Sequence, residues 1–120
     1  MQTKLLINGL LIDGEGESHT VYNPSLGSVL VNITEASSAQ VEAAVQAADQ
    51  AFDAWSQTPP KDRAQLLLKL ADRIEAEGET LARLESLNCG KPYHAALNDE
   101  IPAIADVFRF FAGASRCMNG

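Results

Sequence analysis

A chain of 120 residues with a formal net charge of −7, 46% hydrophobic and 21% charged, has the length of one domain and the balance of a soluble globular protein. Its acidity repels phosphate backbones, and its Lys and Arg residues are scattered instead of striped, which excludes a nucleic-acid partner. No apolar run is long enough to cross a bilayer, so no membrane partner is expected either.

The start, Met1 to Leu6, has one Lys before a few apolar residues, and Asn8 and Gly9 follow. That is not the pattern of a secretory signal, and a cytoplasmic location is expected. Lys4 to Ile12 reads as a strand interrupted by Asn8-Gly9, a pair that tolerates positive φ and predicts a two-residue hairpin. Asp13-Gly14-Glu15-Gly16 predicts the next turn, Thr20-Val21-Tyr22 is extended, and Asn23-Pro24 opens a turn that ends near Gly27. Val29 to Ile33 then completes a small β meander. Gly14 and Gly16 make no phosphate loop, because no helix follows and no third glycine or lysine completes the motif.

Ser37, with Gln40 three residues later, predicts a capping box and the start of a helix. Val41, Ala44, Val45, Ala48, Phe52 and Trp55 recur on one face of it, the alanines allowing a close neighbour and Trp55 being expected in the core. Thr58-Pro59-Pro60 ends that helix and starts a second, since proline is tolerated in a first turn. The second helix carries Leu66, Leu67, Leu70, Ala71 and Ile74, and Gly78 is expected to terminate it.

Glu79 to Leu87 predicts a third helix, with a left-handed stop at Gly90 and with Pro92 forbidding continuation. Lys91 is placed to compensate the unpaired carbonyls at that helix end. From about His94 to Arg116 a fourth pattern carries Ile101, Ile104, Ala105, Phe108, Phe111 and Ala112, and Pro102 should kink or divide it near Asn98. Met118-Asn119-Gly120 supplies no finishing element. The expected fold class is α/β, of α+β type within this stretch: a β meander over 3–35, a helical part with about four helices over 37–117, one core and no separate second domain. Cys89 and Cys117 signal neither a zinc site nor a disulfide framework and are expected as buried or half-buried free thiols, while His19 and His94 sit far apart in the sequence, each without a nearby Cys or His, and are not expected to do metal chemistry.

Several of these segments, in order, resemble the N-terminal part of the NAD(P)-dependent aldehyde dehydrogenase superfamily. They are Leu6-Ile7-Asn8-Gly9, Tyr22-Asn23-Pro24 with Gly27, and Ala43 to Ala48 leading to Phe52 and Trp55. Arg63, Leu68-Lys69-Leu70-Ala71-Asp72, Glu85, Cys89-Gly90-Lys91-Pro92 and Phe110-Phe111-Ala112-Gly113 continue the series. Asn88 to Pro92 followed by Asn98-Asp99-Glu100-Ile101-Pro102 looks most like the bacterial gamma-aminobutyraldehyde dehydrogenases, relatives of the betaine and aminoaldehyde enzymes.

The resemblance implies a longer enzyme, lacking here its Rossmann-type sheet, that oxidises an aldehyde through a cysteine thiohemiacetal, passes hydride to NAD and hydrolyses the thioester with a glutamate base. Those groups and the cofactor loop match regions downstream, so these residues supply no catalytic and no cofactor-binding side chain, and the 120 residues alone are expected to be inactive and to bind no NAD. Cys89 matches a non-catalytic family position and has no activating neighbour in sequence. Two sites reach into the segment by resemblance. Asp99, with Glu100 beside it, is the candidate acid for the cationic end of an aminoaldehyde, and Val21, Tyr22 and Asn88 correspond to ligands of a monovalent cation, Asn88 replacing an aspartate and removing its charge. The complete enzyme is expected to be a homo-oligomer, a tetramer. A second reading is a non-catalytic helical interaction module derived from the family, to be distinguished by partner capture from a stable, monodisperse chain without turnover. A third, an unrelated small helical binding protein, requires all the ordered matches to be accidental.

Overall fold

Asn8 and Gly9 adopt φ of 50° and 76°, as the tight loop between two short strands demands. In the computed structural model, which describes residues 1–117, β1 (Leu5–Ile7) and β2 (Leu10–Ile12) pair antiparallel with Ile7 opposite Leu10. A second antiparallel pair joins β3 (Ser18–Tyr22) to β4 (Val29–Thr34), with a register shift between Val21 and Tyr22. The expected meander is therefore two separate two-stranded hairpins. The turn from β3 to β4 forms at Asn23, whose carbonyl accepts from Gly27 N at 2.8 Å and whose Oδ1 accepts from Ser25 N at 2.9 Å.

Asp13 to Gly16 is not the hydrogen-bonded turn its composition predicts. It passes beside the end of β4 instead: Gly16 N donates to the Glu35 carbonyl at 2.9 Å, and a Cβ on Gly14 would stand 2.2 Å from the Thr34 carbonyl oxygen. Glycine is required there by close backbone approach. The helix α1 (Ser38–Ser56) starts with the expected capping box at Ser37. Gln40 does more than close it. This buried side chain accepts from Ser37 N at 3.1 Å and Glu15 N at 2.9 Å, and donates to the Asp13 carbonyl at 2.9 Å. It thereby ties the helix start to the passage between β2 and β3. The apolar face of α1 remains open, with Phe52 62% and Trp55 50% exposed, so Trp55 is not a core residue.

By its internal contacts the chain forms two units, Met1–Gln57 and a second beginning at Thr58. In the second, α2 (Pro60–Ala76) opens on its proline and packs along α5 (Ile101–Ala114). Ala64 and Ala71 on α2 and Ala105 and Ala112 on α5 are buried, and such small side chains let two helices approach closely. Arg109 locks the pair, donating to Glu75 at 2.8 and 2.6 Å and to Asp72 at 3.0 Å.

Gly78 does not terminate α2. It begins α3 (Gly78–Cys89), is buried, and lies where a Cβ would meet Ile101 Cγ2 at 3.2 Å, so the glycine serves contact between helices and not a left-handed cap. The left-handed stop is Gly90, φ 77°, as expected. The small core gathers Ala82, Ala96 and Ile101, with Ile74, Tyr93 and Leu97 packed against it. Leu66, Leu81, Leu84, Ile104 and Phe111 are all exposed, so their apolar stripes gain only part of the roughly 1.5–3 kcal/mol that full burial of each would supply. Cys89 and Cys117 are free and exposed, not buried. Among the described residues no helix is long and apolar enough to cross a membrane. The expectation for Met118 to Gly120 lies outside the described residues.

Candidate functional site

Between α3 and α5 the chain makes a short turn of helix, α4 (Tyr93–Ala95), and then a π turn, Ala96–Glu100. Pro102, near the start of α5, has no N–H to offer the Asn98 carbonyl, so the α pattern breaks there. The Ile101 N–H reaches the Ala96 carbonyl instead, five residues back, and the extra residue widens the coil as π turns do. The predicted division near Asn98 thus takes the form of a π turn, and it sets Asp99 and Glu100 as its last two residues.

These adjacent carboxylates have different surroundings. Lys91 Nζ donates to Glu100 Oε1 and stands 3.5 Å from Glu85 Oε1. The ammonium therefore bridges the carboxylates of α3 and the π turn instead of capping carbonyls. The hydrogen bond to Glu100, aided by the Glu85 charge, raises the Lys91 pKa above its ordinary value. Asp99 is exposed and its side chain has no hydrogen bond or ion pair among the described residues. Of the pair singled out by sequence, Glu100 is engaged internally and Asp99 is open to an outside cation.

The turn is held elsewhere as well. The Arg83 guanidinium lies 5.7 Å from the centre of the Tyr93 ring, a favourable cation–π arrangement, and Ala96 is buried at 1% exposure. Beside the turn runs an apolar groove of about 360 Å³ whose lining includes Leu81, Leu84, Ile101, Ile104, Glu85 and Glu100. Sequence reasoning did not foresee the Lys91 bridge or the Arg109 clamp. The only trace of the clamp was Asp72 and Glu75 three residues apart on one helix.

Val21 is half-buried and Tyr22 exposed, flanking the register shift in β3, in the first unit; Asn88 is exposed in the last turn of α3, in the second. Each of the three carries neutral oxygens only, so none brings a negative charge to a cation. No cluster of three or more His, Cys, Asp or Glu capable of holding a metal occurs among the described residues. Gly14 backs onto the Thr34 and Glu35 carbonyls, whose oxygens offer no cradle to a phosphate. Cys89 Sγ donates to Glu85 Oε1 at 3.4 Å.

Two hairpins, a capped helix and a helical unit with a proline-divided element define a mixed α+β segment. Residues 11–120 match the aldehyde dehydrogenase family, an oxidoreductase family to which this chain belongs. It is 40% identical to a mitochondrial aldehyde dehydrogenase of Leishmania tarentolae over 121 aligned positions, covering 100% of this chain and 24% of the relative. Among solved structures, PnpE in complex with nicotinamide adenine dinucleotide superposes with a TM-score of 0.95 at 43% identity, over 100% of this chain and 25% of that one. Betaine aldehyde dehydrogenase of Staphylococcus aureus, in complex with NAD+, gives 0.92 at 30% identity over 99% and 24%. The chain thus spans about a quarter of the length of these relatives.

Proposed function

We propose that these residues form the N-terminal part of an NAD-dependent aldehyde dehydrogenase that oxidises gamma-aminobutyraldehyde or a similar aminoaldehyde to the acid. The observation that carries this reading is the exposed Asp99, without a side-chain partner among the described residues, next on the π turn to Glu100, which lines an apolar groove. An exposed carboxylate receives an ammonium group, and apolar walls accept methylene carbons. The similarity to a betaine aldehyde dehydrogenase, named for an aldehyde with a cationic end, supports the same substrate class. The nucleophilic cysteine, the glutamate base and the NAD site belong to other parts of the enzyme, so the 120 residues alone neither turn over nor bind the cofactor.

The complete enzyme works as a homo-oligomer, a tetramer, in the cytoplasm, a reducing compartment consistent with two free, exposed thiols. Val21, Tyr22 and Asn88 contribute to a monovalent-cation site in it. The test measures NADH formation with aminobutyraldehyde and with a neutral aldehyde of equal length, using this chain and the enzyme that contains it. Turnover confined to the enzyme, with the aminoaldehyde preferred, is expected; turnover by the chain alone, or preference for the neutral aldehyde, would refute the reading.

A further inference from the structure

We propose that the open face of α1 is a docking surface for a basic apolar segment, one with Lys or Arg along the edge of an apolar stripe, supplied by the enzyme's polypeptide outside these 120 residues. The inference rests on the reading above only in taking this chain as part of a longer enzyme, and it requires no particular aldehyde.

The face is continuous and lies within the first unit. Val41, Val45, Phe52 and Trp55 recur along α1 at helical spacing, and each is at least half exposed. Beside them, two apolar hollows of about 420 and 390 Å³ share Leu6, Ile7, Ala44 and Ala48. The alanines thus floor a trough walled by the first hairpin. The surface left open is large. A compact monomer of 12.9 kDa exposes about 6,300 Å², and two separate compact bodies of half that mass about 7,600 Å². The chain exposes 8710 Å², at least about 1,100 Å² more across its two units, where one side of a standard interface takes about 800 Å².

The charges beside the stripe fix the chemistry of the cover. Glu42, Asp49 and Asp53 are exposed and spaced by seven and four residues, which sets them in one row on a helix. Asp49 lies four positions after Val45 and three before Phe52, so the row borders the stripe. None of the three has an ion pair among the described residues, and Glu42 accepts only from the neutral Gln46 amide, at 3.0 Å. Lys4 is the one Lys or Arg in Met1–Gln57, against seven Asp and Glu, and it is held by Asp13 at 3.2 Å. A cover laid on the stripe takes water from this row, and carboxylates that lose water without a counter-charge oppose docking. A segment that brings Lys or Arg to the same edge supplies that charge. The same face of a second copy brings only further carboxylates, so self-association through α1 is opposed.

Protection of the α1 amides against hydrogen exchange is compared between the 120-residue chain and the enzyme containing it. Protection should be about tenfold or more higher in the enzyme, the factor that covering one large apolar side chain supplies; equal protection would overturn the docking surface. In the enzyme, the triple variant Glu42→Lys, Asp49→Lys, Asp53→Lys should lower that protection by about threefold or more as three ion pairs are lost. The neutral triple Glu42→Gln, Asp49→Asn, Asp53→Asn should lower it less. Unchanged protection in both triples, or an equal loss in the 120-residue chain, would overturn the basic occupant. Trp55 is the single tryptophan of the chain and tests the second copy. Its emission should remain that of a water-exposed indole as the chain is concentrated; a concentration-dependent blue shift would overturn the proposal in favour of self-association through α1. NADH formation by the wild-type enzyme is read separately: its failure with the aminoaldehyde sinks the substrate reading and leaves the protection of α1 unaffected.

Discussion

Replacing Gly78 by alanine sets two opposing effects against each other at one atom. At a position of ordinary φ, Gly→Ala reduces the freedom of the unfolded chain and stabilises by about 0.4–1 kcal/mol. Here the new Cβ would stand 3.2 Å from Ile101 Cγ2 and 3.7 Å from Leu97 Cδ1. The first neighbour is a β-branched side chain at 8% exposure in the small core, with little rotamer freedom in a helix. Overpacking of such a site costs about 1–3 kcal/mol, so a net destabilisation of about 1 kcal/mol is expected. For a unit of this size that is a fall in midpoint of about 4–8 °C. Thermal and urea unfolding of the chain, followed by far-UV circular dichroism, measure it. Ile101→Leu provides the internal control because leucine has no Cγ2. The combined Gly78→Ala, Ile101→Leu variant should lose less stability than the two single changes together, a coupling expected between residues in contact. A Gly78→Ala chain as stable as wild type, or strict additivity in the cycle, would refute the close-contact explanation of this glycine.

Gly90→Ala should destabilise through backbone strain instead, by about 1–2 kcal/mol, because residue 90 sits at φ 77°; Gly90→Asn should cost less in the same unfolding assay, and equal losses would argue against strain. Gln40→Ala strands the Glu15 and Ser37 N–H groups and the Asp13 carbonyl, which the side chain now satisfies. A loss of about 1–3 kcal/mol is expected, with faster amide exchange at Glu15 and Ser37, and unchanged protection at both would count against the tie. Acid should loosen α2 from α5. The hydrogen bond from Arg109 lowers the Glu75 pKa below the ordinary 4.5, so its contribution is complete above that pH and is lost as pH falls through the lower folded value. Acid titration of the wild type against Arg109→Met, monitored by amide exchange in α5, should show this dependence only in the wild type; identical profiles would dismiss the clamp as a source of it.

Features decided within a few residues were legible before the fold. Asn8-Gly9 can take positive φ, Ser37 and Gln40 can satisfy helix-start N–H groups reciprocally, Gly90 can end a helix left-handed, and Pro102 must interrupt one. In each the relevant sterics or missing hydrogen bond lies in the local backbone, and each occurs where the sequence predicts. Gly78 misled because a glycine after an apolar stripe has two physical uses, and the local sequence does not distinguish a cap from a close contact. Trp55 misled for a related reason: periodicity identifies an apolar face but not what covers it.

By itself, then, the sequence determined the first hairpin, the capped start of α1, the left-handed end of α3, the break before α5 and the family, and it singled out Asp99 and Glu100 as candidates. Only tertiary structure gave those two acids different surroundings, because the contact that engages Glu100 joins it to Lys91, nine positions away across a chain reversal. The same holds for Gln40, whose partner Asp13 is 27 positions distant, and for Arg109, whose partner Glu75 is 34 positions distant. Charge and hydrogen-bonding capacity are written in the residues, but their use depends on which distant groups the fold brings within about 3 Å.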